Sequence, residues 1–196
     1  MKKISILLPY KENFSPKYAG AVSLLVKDTS LKSKYKKNIT VYGFTSFKEK
    51  FKVLYKNIKF NKRLFESSNI KYAEQFLKEE KKSDLIEIHN RPAVFHYILS
   101  QQPDRNIVVY FHNDPLSLRG SASIKDRTNI FNKSKAIIFV SEWTKSRFFE
   151  NLECNKNNPK VSVIYPSVNK KKFNNKKEKI ILFVGKLNPS KGFDLF

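Results

Sequence analysis

Short apolar runs and polar turns alternate along this chain. Lys3–Pro9, Asn38–Phe44, Asp84–His89, Asn106–His112, Lys135–Val140, Val161–Tyr165 and Lys179–Val184 each have the length and content of a buried strand. Between them fall stretches with helical periodicity: Ala19–Lys34, roughly Lys62–Lys82, Pro92–Gln101, Ile124–Lys133 and Glu142–Leu152. Tyr72, Phe76 and Leu77 mark the apolar face of the second of these. Pro92 suits a first helical position, and Ser141 followed by Glu142 suits a helix start, the hydroxyl capping and the carboxylate facing the dipole. Ser46–Phe60 carries two periods at once. Phe47, Phe51, Leu54 and Ile58 form a helical stripe, whereas Phe51, Val53 and Tyr55 alternate as in a strand. Strands alternating with helices predict an α/β fold, a Rossmann-like doubly wound parallel sheet.

Composition changes this picture little. A chain of 196 residues with 40% hydrophobic content and seventeen Phe can bury a real core. No apolar run approaches the ~20 residues that span a bilayer. Met1–Pro9 is too short in its apolar part for a signal peptide and reads as a first strand. Cys154 is the only cysteine, which excludes an internal disulfide and suits a reducing cytoplasm. The net charge of +22 would favour an anionic membrane face or a nucleic acid. Yet only six of the 39 basic residues are Arg, a skew that fits codon drift better than built phosphate recognition. Within Lys48–Arg63, seven basic residues interleave with Phe51, Leu54 and Phe60, a pattern an interfacial helix would share with a solvated, partly core-facing segment.

Ligands of an open parallel sheet bind beyond the carboxyl ends of its strands, and the polar residues of this chain gather there. The first strand leads to Glu12 and on to Gly20. Later ends carry His89-Asn90-Arg91, then His112-Asn113-Asp114, then Ser141-Glu142, and finally Gly185-Lys186. His112 leaves its strand at the sheet edge, where it could hydrogen-bond a substrate hydroxyl or developing charge, or be satisfied by loop backbone. Arg91 can grip a carboxylate or phosphate. His96, inside a helix beside Phe95, reads as structural. Arg119-Gly120-Ser121 reads as a rim of the crevice or as a solvated loop. The three histidines have no i, i+4 pairing and no cysteine partner, so no metal set emerges. Nucleophile elbow, Walker loop and dinucleotide fingerprint are all missing. Gly185-Lys186 through Lys191-Gly192, after an apolar run, has the make-up of a phosphate-binding turn.

Taken in order, Glu87-Ile88-His89-Asn90-Arg91-Pro92, Phe111-His112-Asn113-Asp114-Pro115, Arg119-Gly120, Val140-Ser141-Glu142-Trp143-Thr144 and Phe183-Val184-Gly185-Lys186-Leu187…Lys191-Gly192 resemble glycosyltransferase family 4. These are retaining enzymes with two Rossmann-like domains, the GT-B fold. The resemblance implies an acceptor-side domain over 1–175, with 176–196 supplying a linker and the first strand and turn of a truncated donor domain. Ser167–Glu178 is the polar stretch expected to link them. His112 aligns with a histidine near the donor sugar's reacting carbon, and Gly20 with the glycine turn that approaches the donor phosphate. Lys186 stands where the family has Arg and Lys191 matches its Lys, both gripping the diphosphate. His89, Asn90, Arg91, Asn113, Asp114, Arg119, Ser141 and Glu142 would line the cleft.

The implied activity is transfer of a hexose from a nucleotide-diphosphate sugar to a cell-envelope glycan or lipid-linked acceptor. The nucleotide sugar is then a co-substrate, with no other cofactor or metal. The implied place is the cytoplasm, at the inner face of the membrane as in lipopolysaccharide assembly. The family's pair of glutamates spaced by seven has no counterpart here, so this fragment is expected to be inactive alone. Two alternatives stand beside this reading. One is a basic nucleic-acid-binding domain, carried only by charge and interleaved aromatics. The other is a GT-B nucleotide-sugar epimerase relative.

Overall fold

The structure is a computed structural model that describes residues 2–61, 67–80 and 82–167, together with 179, 182–184 and 192. Seven strands form one sheet: β1 (Ile4–Leu7), β2 (Ile39–Gly43), β3 (Tyr55–Asn57), β4 (Leu85–His89), β5 (Ile107–Phe111), β6 (Ala136–Phe139) and β7 (Val161–Val163). Their order is β3-β2-β1-β4-β5-β6-β7, and every neighbouring pair is parallel. The chain therefore winds outward one way from β1 to β3, then restarts beside β1 with β4 and winds the other way. This is the expected Rossmann-like doubly wound sheet, and its switch point lies between β1 and β4.

Five helices cover it: α1 (Ala21–Lys32), α2 (Ser68–Glu79), α3 (Pro92–Gln101), α4 (Ile124–Lys133) and α5 (Glu142–Phe149). Side-chain alternation in the strands assigns each face. Leu7, Ile86, Ile88, Val109, Phe111, Ile137 and Phe139 point to one side. There they pack with Tyr72 and Phe76 of α2, Phe95 of α3, Ile130 of α4 and Phe148 of α5. Ile6, Leu8 and Val41 point to the other side, against Val26 of α1 and Phe14. At ~25 cal/mol per Å² of buried apolar surface, each fully buried Phe or Ile contributes about 1.5–3 kcal/mol. The larger core is therefore the main fastening of α2, α3 and α5.

Pro92 opens α3 as expected. Ser141 Oγ accepts the Thr144 N–H at 3.2 Å to cap α5, and Ser123 caps α4 through Asp126 N–H at 3.1 Å. Most other elements are shorter than expected, losing one to three residues at their ends, where pairing or packing stops. Within Ser46–Phe60 the two-residue period prevails. Phe51 and Tyr55 both pack on the ring of Phe14, at centroid distances of 5.1 Å, and Tyr55–Asn57 pairs with β2. No helix occurs there; Phe60 packs inward against Tyr10, while Phe47 stacks on the exposed ring of Tyr18.

One expectation is corrected. Leu182 and Val184 of the expected strand Lys179–Val184 are 76% and 85% exposed and lie in no strand. A buried parallel strand has both its faces covered, and Leu182 and Val184 are left exposed. The expected linker beyond Ser167, and Gly185, Lys186 and Lys191, lie outside the described residues.

Candidate functional site

Because every strand runs the same way, the loops after β1, β4, β5 and β6 open onto one edge of the sheet. The period-two pleat then sorts their side chains. Glu87 and His89 of β4, with Tyr110 of β5 and His112 just beyond it, fall on the face opposite Ile86, Ile88, Val109 and Phe111. His89 pairs in register with Tyr110, and their rings stack at 4.6 Å. His112 packs against His89 at 5.1 Å and against Tyr110 at 6.1 Å, so the three rings form one cluster.

Hydrogen bonds run through this stack. His89 Nε2 lies 2.6 Å from Glu87 Oε1, and His89 Nδ1 lies 2.8 Å from His112 Nε2. His89 is buried and His112 half-buried. Burial, with a smaller contribution from His89, pushes the His112 imidazole down to about 3, so the ring is neutral across the working range. Burial likewise drives the Tyr110 phenol up, keeping it protonated.

Asn90 holds the two strand ends together. Its φ of 57° lies in the left-handed region that Asn tolerates, and its Oδ1 accepts the N–H groups of both His112 and Asn113 at 3.3 Å. Arg91 follows, donating from Nη1 to the Asn90 carbonyl at 2.8 Å, while its Nε is buried without a partner among the described residues. Burial disfavours the Arg91 charge, and the Glu12 carboxylate partly restores it.

Glu12 also occupies the start of α1. Its Oε1 accepts the Ser23 N–H at 3.1 Å, and a Cβ built on Gly20 would lie 2.3 Å from the same oxygen. Gly20 is therefore the residue that lets a carboxylate reach the helix N-terminus. The sequence expectation for Gly20 was an approach to an anion, and here that anion is the chain's own.

Other expected residues have different surroundings. Asp114 is engaged by its neighbours: Oδ1 accepts from Leu116 N–H at 3.1 Å, and Arg147 Nη2 meets Oδ2 at 3.2 Å. Burial raises its proton affinity, but the Arg147 hydrogen bonds and Leu116 N–H outweigh that and hold it below the usual carboxylate range. Ser141 is taken up as the α5 cap, while Glu142, Asn113 and Arg119 are exposed. His96 bonds the Gly120 carbonyl at 2.8 Å and Asn129 at 3.0 Å, which ties α3 to α4 and the loop before it. Ser121 is fully buried, so the Arg119–Ser121 turn is anchored rather than open.

Glu87, Tyr110 and Arg147 were not singled out from the sequence, and Glu12 only as a polar residue after the first strand. The i, i+2 spacing of Glu87 with His89 and of Tyr110 with His112 was a readable signal. The roles of Glu12 and Arg147 depend on tertiary contacts. Farther along the same edge, Phe44, Lys59, Phe60 and Asn61, with Glu74 and its ion-pair partners Lys71 and Lys78, line an open hollow of about 670 Å³. Among the described residues, no group of three or more His, Cys, Asp or Glu side chains is placed to hold a metal ion, and no helix is long and apolar enough to cross a membrane.

The family model described as Glycosyltransferase Family 4 matches residues 39–172. No curated protein matches at significance. Among solved structures, Anabaena Alr3699/HepE in complex with UDP and glucose is similar at a TM-score of 0.58 and 16% identity, covering 86% of this chain and 45% of that one. The same Anabaena protein with UDP-glucose gives a TM-score of 0.56 at 15% identity, covering 83% and 43%. A glycosyltransferase from Rickettsia africae ESF-5 gives 0.54 at 20% identity, covering 86% and 44%. The chain thus spans under half the length of the solved structures it matches.

Proposed function

The chain belongs to glycosyltransferase family 4, and from that membership we propose that residues 1–175 form the acceptor-side domain of a retaining hexosyltransferase. In this reading a nucleotide-diphosphate sugar is the donor and a cell-envelope glycan or lipid-linked molecule the acceptor. The observation that carries it is the meeting of Arg91, Gly20 and the α1 N-terminus with His89 and His112 at the switch point between β1 and β4.

Chemically, that place suits a leaving diphosphate. Breaking the anomeric bond puts negative charge on the bridging oxygen, and a cationic Arg91 offsets it together with the α1 N-terminus once the diphosphate displaces the Glu12 carboxylate from it. Arg91 Nε, buried and without a partner among the described residues, has a donor to spare. His112 then faces the sugar, and Lys186 and Lys191 would grip the diphosphate from the other side of the cleft. The hollow around Phe44, Phe60 and Lys59, which mixes aromatic rings with charged groups of both signs, suits an acceptor that carries sugar rings. The +22 charge supports a working place at the anionic inner face of the cytoplasmic membrane.

UDP-glucose is the probe of choice, since the Anabaena relative was crystallised with it. Calorimetric titration of the chain with UDP-glucose is expected to show binding that Arg91→Ala weakens about tenfold, or about 1.4 kcal/mol. Unchanged affinity in that variant would remove Arg91 from the donor site. Hydrolysis or epimerisation of the donor without any acceptor would favour the epimerase reading instead.

A further inference from the structure

We propose that Glu87 and His89 act as positioning residues that hold His112 in one tautomer, with Nε2 protonated and Nδ1 offered as a bare acceptor. The argument is a count of protons along two hydrogen bonds. An ionised carboxylate only accepts, so the 2.6 Å contact with Glu87 Oε1 requires a proton on His89 Nε2. A neutral imidazole carries one N–H. His89 Nδ1 is then a lone pair, and the 2.8 Å contact with His112 Nε2 requires the proton to lie on His112. His112, neutral as well, is left with a bare Nδ1 that has no hydrogen-bond partner among the described residues.

The surroundings make this arrangement stiff. His89, Tyr110 and His112 pack ring against ring in a three-membered cluster, and Asn90 accepts the backbone N–H of His112 through its side-chain oxygen. Glu87, His89, Tyr110 and His112 lie on one face of two paired parallel strands, so neither ring can turn without breaking the stack. Burial, with a smaller contribution from His89, holds the His112 ring neutral, which removes the cationic form that would offer both nitrogens as donors.

The consequence concerns the class of sugar, and this part rests on the function proposed above. A bare imidazole nitrogen accepts from a hydroxyl. Against a carboxylate it presents lone pair to anion, with no hydrogen to share. The relay therefore selects a donor sugar that presents a hydroxyl to His112 over one that presents a carboxylate there, a neutral hexose over a uronate.

Long-range 1H–15N correlation spectra of the uniformly 15N-labelled chain at pH 8 read the tautomer directly. The expected spectrum shows His112 protonated at Nε2 only. In Glu87→Leu, checked for folding by circular dichroism, the shifts of both rings should move toward a mixture of tautomers, and Glu87→Asp should move them back. Protonation of His112 at Nδ1 in the wild-type chain, or an unaltered tautomer in Glu87→Leu, overturns the relay. Titration with UDP-glucose and UDP-glucuronate tests the selectivity. The former should bind at least about tenfold more tightly, and the gap should narrow in Glu87→Leu. Equal affinities overturn the selectivity. If neither nucleotide sugar binds while the spectrum is as expected, the donor-site reading fails and the relay stands as a structural device.

Discussion

Gly120 has a φ of 91°, and a Cβ built on it would lie 2.5 Å from the Ala93 backbone nitrogen. Backbone cannot yield as a flexible side chain does, so both conformation and contact demand glycine. Gly120→Ala is expected to destabilise the protein by on the order of 3 kcal/mol, read as a lower urea midpoint with an unchanged slope. A midpoint within error of wild type would show that the turn can shift away from α3 freely. Gly20 differs in kind, because its close neighbour is the flexible carboxylate of Glu12. At this scale the sequence was informative wherever a residue's position on a strand decided its fate. His89 and His112 at strand ends were visible, and so was Arg91. The occupation of Asp114 by Arg147, 33 residues away, was not. No local pattern encodes a partner that only the fold brings near.

Helices α3 and α4 were legible to their last residues; Pro92 marks the start of the first, while the Ser123 cap that starts the second went unread. The strand at Tyr55–Asn57 was ambiguous because Phe51 and Tyr55 serve the ring of Phe14, a contact invisible to any window around them. Between elements, the main polar tie is Glu80 at the end of α2. Its Oε1 accepts from Ser5 Oγ of β1 at 3.0 Å and from Ser83 N–H at 2.6 Å, and its Oε2 meets Arg105 Nη2 at 2.8 Å. Burial raises its proton affinity, but the Ser83 hydrogen bonds and the Arg105 charge outweigh burial and hold it below the ordinary value. A carboxylate depressed in the folded state adds stability above its unfolded pKa of about 4.3, and that stability is lost as pH falls through the lower folded value. Glu80→Gln should therefore cost about 2–4 kcal/mol at pH 7. Denaturant midpoints measured from pH 7 down to pH 3 should show the gap to wild type closing in acid. A gap that stays constant with pH would mean the loss is one of packing alone.

For the whole molecule, a net charge of +22 on 196 residues makes the folded state self-repelling. Raising NaCl from about 0.01 M to about 0.15 M shortens the screening length from about 30 Å to about 8 Å. The melting temperature is expected to rise by about 2–4 °C, the equivalent of about 1 kcal/mol for a chain of this size. A melting temperature that holds or falls would mean local ion pairs, such as Arg105 with Glu80, outweigh the general repulsion. The order of the sheet has a further consequence, in time. β1 lies inside it, paired with β2 on one side and with β4 on the other, and Ile4 meets Leu85 across 81 residues. At ribosomal rates of about 5–20 residues per second, one edge of β1 waits about 4–16 s for its partner to be made. Through that interval Ile4-Ser5-Ile6-Leu7-Leu8 is an unpaired, apolar template for the wrong chain. Lys2 and Lys3, directly before it, place charge where a gatekeeper against aggregation belongs.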